Sequence, residues 1–378
     1  MNRNEEFDRI LEQHKLWLTS DQQQGTRADF SGSDLTGMDF STADLRAAIF
    51  RSATLKNANF RYANLVHADF SDADLRGANV SGAQLSLTNF SAADLRDADL
   101  SSTQPSLKTD SPSWRRGPSF KDSDLRCANL EQSYCEHSDF SGSNMHGAVL
   151  TRARLNSSNL EELNLGSISM AGADLEHAVL SRCNLDKADF NGANLHNANL
   201  SGALLTGADL SNACLMAANL AECKVDGIHY NRSTRFRGVR VDSCFGSSRF
   251  KRFAMDQDFI EEFKEDHPYA FYLWFALTDC GRSLSRVGCW VIGLIFLFAF
   301  LIYLQGETAL AFNVDEGLEW SFATTLYYST VIFTTLGFGD ITPRTPMAAL
   351  LVVAEVTVGY LMLGILVSIL ASKVARRS

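Results

Sequence analysis

Paired cysteines with zinc-binding spacing are missing from this sequence. Its eight cysteines form no Cys-x-x-Cys, and no histidine–cysteine cluster has the spacing of a metal site. We expect them to be small, buried residues in a reducing compartment. Basic residues are also few, 34 against 44 acidic ones, and the net charge of −10 argues against a general nucleic-acid-binding protein. The first residues, MNRNEEFDRI, are polar and acidic, so we expect no signal peptide.

Apolar residues recur every five positions, from Phe30 to Leu100 and again from Phe120 to Val225. Two positions before each of these centres the residue is usually small, often alanine. A period of five fits neither the α-helix, with 3.6 residues per turn, nor the strand, with a period of two. Repeats this short predict a solenoid, in which each five-residue step forms one side of a square coil and successive turns pair as parallel strands.

The repeats, as in ADFSGSDLTGMDFSTADL, resemble the A(D/N)Lxx pattern of the pentapeptide-repeat family. The resemblance implies a right-handed quadrilateral parallel β-helix over residues 28–230. Helical spacing of apolar residues in 1–27 predicts a helix that caps the N-terminal end of the coil. Residues 101–119 contain three prolines and interrupt the repeats, so we predict an excursion loop there. Its Trp114, Arg115 and Arg116 are either a binding site or part of a tolerated insertion.

Two long apolar stretches follow, at residues 287–304 and 347–371. The first has eighteen residues without a charge, about 27 Å of helix, which is enough to cross a bilayer core. Arginines precede the first stretch and basic residues follow the second, whereas the loop between them is acidic. By the positive-inside rule we expect a multi-pass protein of the cytoplasmic (inner) membrane with both termini in the cytoplasm.

Residues 231–285 connect the repeats to the first span. The segment 231–252 holds seven Arg or Lys and one Asp, which suits either anionic lipid headgroups or a solvated basic linker. The aromatic residues that follow are typical of an interfacial helix leading into the membrane.

Between the spans, a short, hydroxyl-rich apolar segment runs into TTLGFGD, Thr334–Asp340. The order of span, short helix, T-x-G-[YF]-G-D and span resembles the pore module of bacterial two-span potassium channels, over about residues 270–378. The resemblance implies an all-α pore domain over 286–378, with a re-entrant pore helix. It also implies a selectivity filter formed by Thr335–Gly339. In this filter K⁺ is bound by the Thr335 hydroxyl and by the main-chain carbonyls of Thr335, Leu336, Gly337 and Phe338.

Further roles follow from the same resemblance. Thr334, Asp340 and Glu355 are expected to support the filter; for Glu355, an acid inside a span, a structural partnership and ion binding both stay open. Gly359 matches a gating-hinge glycine, although close helix packing explains it nearly as well. Helical spacing places three further residues with it as cavity lining: Tyr360, Leu363 and Val367.

Leucine at 336 and phenylalanine at 338 stand where valine and tyrosine are usual in this motif. Only their carbonyls face the ion, so K⁺ selection is expected to survive. The sequence therefore predicts a homotetrameric K⁺ channel without catalysis, without a cofactor other than permeant K⁺ and without a nucleic-acid partner. Its cytosolic repeat domain would serve assembly or regulation, and the ligand or partner of that domain is left open. The alternative is a membrane-anchored interaction or DNA-mimic module of pentapeptide repeats.

Overall fold

The computed structural model of the protein describes residues 3–105, 116–312 and 319–375. The chain divides into a repeat unit, Met1–Glu262, and a C-terminal unit, Phe263–Ser378.

Parallel bridges between residues twenty apart build the repeat unit, beginning with Asp29 to Ile49 and Asp34 to Thr54. Nearly every five-residue step contributes a bridge, and four steps make one turn of a four-sided coil, so the predicted parallel β-helix is confirmed. The chain turns each corner at the second position after an apolar centre, where the backbone is left-handed, as in Gly32 and Asn57 with φ of 66° and 54°. Glycine and asparagine adopt this conformation at low cost.

The apolar centres fill the interior of the coil. Phenylalanine rings stack between successive turns, with centroids 4.7 Å apart for Phe40 and Phe60 and 4.6 Å apart for Phe50 and Phe70. Phenylalanines two steps apart, on opposite sides of the coil, meet edge to face, as Phe50 and Phe60 do at 88°. Each such aromatic pair contributes about 0.5–1.5 kcal/mol beyond the area that it buries. The centres at multiples of five therefore form the core that the period predicted.

Charged pairs run along one outer wall of the coil. Arg76 bonds Asp74 at 2.8 Å within its own step and reaches Asp94 of the next turn at 3.5 Å. Hydrogen bonds from the Arg76 side chain lower the pKa of Asp74 to about 2. Pairs this exposed contribute about 0–1 kcal/mol each.

Not every cysteine is buried, although all eight are free. Cys183, Cys223 and Cys244 occupy the small-residue position and donate their thiols to main-chain carbonyls inside the coil. Cys127 is exposed and Cys214 is half-buried, because they occupy the corner and the bridge position of their steps. In the C-terminal unit, Cys289 is exposed and Cys280 is half-buried. The expectation of burial is therefore wrong for these four residues.

The coil has a local defect around Leu163, a large residue at the small-residue position. Bridges join Asp124 to Asn144 and Asn164 to Asn184, but in the described part of the coil none joins Asn144 to Asn164. Leu163, which is 4% exposed, stands here where most steps have alanine. A surface cavity of about 350 Å³ opens beside it, and the buried Ser143 hydroxyl has no hydrogen-bond partner among the residues that the structure describes. We attribute the missing bridge to the volume of the Leu163 side chain.

Leu163→Ala is therefore expected to destabilise the repeat unit much less than a normal core truncation. Leucine-to-alanine changes in cores cost about 2–5 kcal/mol. At this position alanine would let the two main-chain bonds of the missing bridge form, each contributing about 1 kcal/mol. Denaturant unfolding in detergent, followed by circular dichroism, measures the difference. Leu185→Ala, at a fully buried centre with its bridges intact, is the control. Equal losses for the two variants would exclude Leu163 as the cause.

Helices cover both ends of the coil. At one end, α1, Arg3–Thr19, packs Phe7, Ile10 and Leu11 against the core. His14 accepts a hydrogen bond at Nδ1 from the Ala28 amide, and burial lowers the pKa of this imidazole. The expected N-terminal helix thus closes the coil as a capping element.

At the other end, α2, Ser248–Asp266, buries Phe250 and Ala254 against the core. Its carboxylates replace the next turn of the coil as hydrogen-bond acceptors. Glu261 accepts from the Phe236 and Arg237 amides at 3.2 Å each, and Asp258 accepts from the Gly238 amide at 2.7 Å.

The coil extends beyond the predicted boundary at residue 230. Arg235, Arg240 and Phe245 bridge residues 21 positions earlier, so the last turn contains one additional residue. This insertion moves the buried centres to Phe236 and Val241, off the multiples of five. Most of the predicted basic linker at 231–252 is therefore the last turn of the coil and the start of α2.

Part of the predicted excursion loop at 101–119 also belongs to the coil. Asn89 bridges Ser119 across thirty residues instead of twenty, so ten residues are inserted and the phase is kept. Gln104 and Ser119 remain in the coil, and the Arg116 carbonyl accepts from the Leu87 amide at 3.1 Å. Trp114 and Arg115 lie outside the described residues.

The C-terminal unit contains four helices and a two-stranded sheet among its described residues. The helices are α3 (Pro268–Thr278), α4 (Leu284–Tyr303), α5 (Phe322–Phe333) and α6 (Pro346–Ala375). Strands β1 (Leu310–Phe312) and β2 (Ile341–Pro343) pair antiparallel, with Ala311 opposite Thr342. Helices α4, α5 and α6 pack on one another. Leu284–Tyr303 and Pro346–Ala371 are long and apolar enough to cross a membrane, whereas α5 is shorter.

Candidate functional site

Helix α5 ends in a tight backbone motif. Ser321 caps its N-terminus by accepting a hydrogen bond from the Thr324 amide. At its C-terminus the Thr335 amide donates to the Ile332 carbonyl and the Leu336 amide donates to the Val331 carbonyl, both at 3.0 Å. This pair of bonds is a Schellman motif, which requires a left-handed residue and usually has glycine there. Thr335 fills that place with φ of 59°, an uncommon and strained conformation for a β-branched residue.

The left-handed conformation then recurs at every second residue. Thr335, Gly337 and Gly339 have φ of 59°, 55° and 76°, whereas Leu336 and Phe338 between them do not have positive φ. Alternating handedness rotates successive peptide planes so that their carbonyls can point toward the same side. Among the described residues of the single chain, a Cβ added at Gly337 or Gly339 meets no atom within 4 Å, so the backbone conformation is what favours glycine there.

Sequence reasoning identified the two glycines but missed Thr335 as the first member of this alternation. Threonine gives no sequence signal of left-handed backbone; the Schellman bonds impose it. The side chains of Leu336 and Phe338 are 61% and 65% exposed on the single chain. Asp340, by contrast, is buried, and its Oδ1 accepts from the Ile341 amide at 3.1 Å.

The acid in the second span lies behind this segment. Glu355 is 0% exposed. Its Oε1 is hydrogen-bonded to the Ser329 hydroxyl of α5, and that hydroxyl also lies 2.9 Å from the Ile295 carbonyl oxygen of α4. The Ser329 hydroxyl of α5 therefore contacts both α4 and α6.

Gly359 lies one helical turn after Glu355, against the end of α5. A Cβ added there would be 2.6 Å from the Phe333 carbonyl oxygen, closer than real contacts allow. Close packing of α6 against the end of α5 therefore explains the glycine at position 359. The role of Gly359 as a gating hinge stays a prediction.

Tyr360 and Leu363 line a cavity of about 260 Å³ together with Thr334 and Thr335. Val367 is exposed further along α6 and is not part of that lining. In the described residues no group of three His, Cys, Asp or Glu side chains can hold a metal ion. The alternating backbone at Thr335, Gly337 and Gly339 makes the main-chain carbonyls of this segment the candidate cation ligands.

Residues 290–376 match a family model described as an ion channel. Residues 24–104 match a family model described as a pentapeptide repeat region, and four overlapping ranges between 123 and 220 match a model described as pentapeptide repeats (8 copies). The chain joins pentapeptide repeats to an ion-channel domain. The channel match and the two apolar helices indicate a membrane protein. Ion-channel and pentapeptide-repeat families are in general not enzymes.

Solved structures similar to the chain are pentapeptide-repeat proteins. HetL, involved in heterocyst differentiation regulation in the cyanobacterium Nostoc sp. strain PCC 7120, is 24% identical, with 62% of this chain and 95% of HetL covered and a TM-score of 0.27. A pentapeptide repeat protein from the Arabidopsis thaliana thylakoid lumen is 31% identical, with coverages of 34% and 71% and a TM-score of 0.19.

QnrB1, a plasmid-mediated fluoroquinolone resistance protein, is 19% identical, with coverages of 61% and 97% and a TM-score of 0.28. Because these TM-scores are below 0.5, we assign the fold of the repeat unit from its own parallel bridges and not from these similarities. Among curated proteins, none matches the chain.

Proposed function

We propose that this ion-channel protein conducts K⁺ selectively, through a filter formed by Thr335–Gly339 of four identical chains. The observation that carries the proposal is the alternation of left-handed backbone at Thr335, Gly337 and Gly339, directly after a short helix between two spans. Irregular backbone at membrane depth is tolerated only where protein or water surrounds it. A row of carbonyls aimed at a pore axis is such a place, and it can replace the water around a bare K⁺ ion.

The dipole of α5 supports a cation at this position. The C-terminal end of a helix carries about half a negative charge, and α5 ends immediately before the filter. The Schellman bonds join the first filter residues to the last turn of α5. The helix therefore supplies both the favourable potential and the anchor that orients the first carbonyls, while Thr334 and Asp340 flank the filter as supporting residues.

One filter strand cannot surround an ion, so closed symmetry requires several chains, and four is the number in the channels that the motif resembles. The exposure of Leu336 and Phe338 on a single chain is consistent with burial by partners. The alternation involves only backbone, so leucine and phenylalanine at these positions are compatible with K⁺ selection.

The repeat unit is proposed to lie in the cytoplasm, with both termini on that side of the inner membrane, and to serve assembly or regulation. Arg235 and Arg240 are exposed on adjacent walls of the last turn of the coil. With Arg249 at the start of α2, they are candidates for contact with anionic lipid headgroups, at about 1 kcal/mol for each base.

Purified full-length protein in liposomes tests the proposal. With K⁺ on one side and Na⁺ on the other, the reversal potential is expected to lie close to that of K⁺. Cross-linking of the same sample is expected to trap four chains. Equal permeability to the two cations would contradict K⁺ selection. A protein that forms no tetramer and carries no ions would instead favour the anchored interaction or DNA-mimic module.

A further inference from the structure

The Ser329 hydroxyl has two oxygen neighbours but only one proton. It lies 2.9 Å from the Ile295 carbonyl oxygen and is hydrogen-bonded to Glu355 Oε1. A carbonyl oxygen only accepts, so Ser329 must donate its single proton to Ile295 for that contact to be favourable. The contact between Ser329 and Glu355 then needs a proton from the carboxyl group.

We propose that Glu355 is a neutral acid that donates its proton to Ser329 Oγ and thereby fixes the pore helix α5 on α6. Its burial agrees with this. Glu355 is fully buried, and within the described part of the chain its second oxygen, Oε2, has no hydrogen-bond partner. An ionised carboxylate with an unpaired oxygen in an apolar span would be costly, whereas a neutral acid needs one good acceptor.

The contact between Glu355 and Ser329 positions α5 together with a second contact, between Gly359 and Phe333, one helical turn away. Ser329 and Phe333 are four residues apart on α5, and their respective partners Glu355 and Gly359 are four residues apart on α6. Four residues are about one helical turn, so both contacts lie on one face of each helix. The Gly359 contact sets the distance between the helices and the Glu355 bond sets their register. The filter begins two residues after Phe333, so the pair of contacts fixes where the carbonyls lie; this role rests on the proposed function.

Infrared difference spectra of full-length protein in detergent test the proton directly. Wild type minus Glu355→Gln at neutral pH is expected to show the carbonyl band of a protonated carboxylic acid. A carboxylate band in its place overturns the proposal. Ser329→Ala is a second, independent variant: removal of the acceptor is expected to move the acid band to higher frequency, and an unmoved band excludes Ser329 as the acceptor. A pH series of the wild type decides the protonation state without any variant.

Flux in liposomes tests the positioning role. Glutamine is uncharged and keeps a donor, so Glu355→Gln is expected to retain the K⁺ over Na⁺ selectivity of the wild type. Glu355→Leu keeps neutrality but removes the donor, and its selectivity is expected to fall at least tenfold in tetramers that still assemble. Equal selectivity in both variants contradicts the positioning role. If the wild type itself does not select K⁺, the proposed function fails, while the infrared band still decides the protonation of Glu355.

Discussion

Gly337→Ala is expected to abolish K⁺-selective flux while leaving most of the protein folded. Gly337 has φ of 55°, and a Cβ there meets nothing within 4 Å, so the effect comes from the backbone. Left-handed backbone costs an L-residue about 1–2 kcal/mol, and in the proposed tetramer each of the four filter strands would bear that cost around one ion. The backbone can relieve it by rotating the peptide plane, which turns a carbonyl away from the K⁺ path. Ion flux in liposomes, with K⁺ and Na⁺ compared in the same preparation, measures the loss.

Gly293→Ala is the matched control. Gly293 lies inside α4, where an added Cβ also meets nothing within 4 Å and φ is not positive. Alanine favours helix by about 1 kcal/mol over glycine, so this variant is expected to conduct and to be at least as stable. A Gly337→Ala channel with unchanged current and selectivity would show that residues 335–339 are not the filter.

Gly359→Ala is expected to destabilise the packing of α5 on α6 and to impair conduction. The added Cβ would lie 2.6 Å from the Phe333 carbonyl oxygen, a main-chain atom that cannot rotate away. Overpacking of this kind typically costs about 1–3 kcal/mol. The end of α5 must then shift, and the filter that follows it shifts too. Thermal stability of the detergent-solubilised protein and K⁺ flux are the two measurements.

Gly364→Ala is the control that helps to distinguish the two explanations of Gly359, close helix packing and a gating hinge. Gly364 lies on the same helix, but an added Cβ there meets nothing within 4 Å. We expect Gly364→Ala to keep the stability of the protein and the selectivity of the filter. The hinge interpretation of Gly359 predicts a different result: a Gly359→Ala protein of normal stability and selectivity, in which only the open probability changes. That outcome would refute the packing explanation.

The sequence alone determined the features that repeat or depend on local chemistry. The five-residue period specified a four-sided coil because one small and one large inward residue recur in every step. The apolar lengths of α4 and α6 specified two spans. Glycines at 337 and 339 indicated alternating backbone because only glycine enters the left-handed region freely.

Tertiary structure decided the features that join residues far apart in the chain. The last turn of the coil has one additional residue, so Phe236 does not lie on a multiple of five. Only the bridges to the preceding turn show that Phe236 is a buried centre of the coil. The volume of Leu163 became significant only against the wall of the neighbouring turn. Thr335 is left-handed because its own amide and that of Leu336, both beyond the end of α5, find carbonyl acceptors in that helix.

The contacts behind the filter illustrate the difference most clearly. Twenty-six residues separate Ser329 from Glu355, and the same number separates Phe333 from Gly359. Sequence chemistry marked Glu355 as costly in a membrane and Gly359 as small, but it could not name their partners. The partners are set by how two helices pack, because the rotation and register of a helix depend on every side chain in the interface and not on its own pattern.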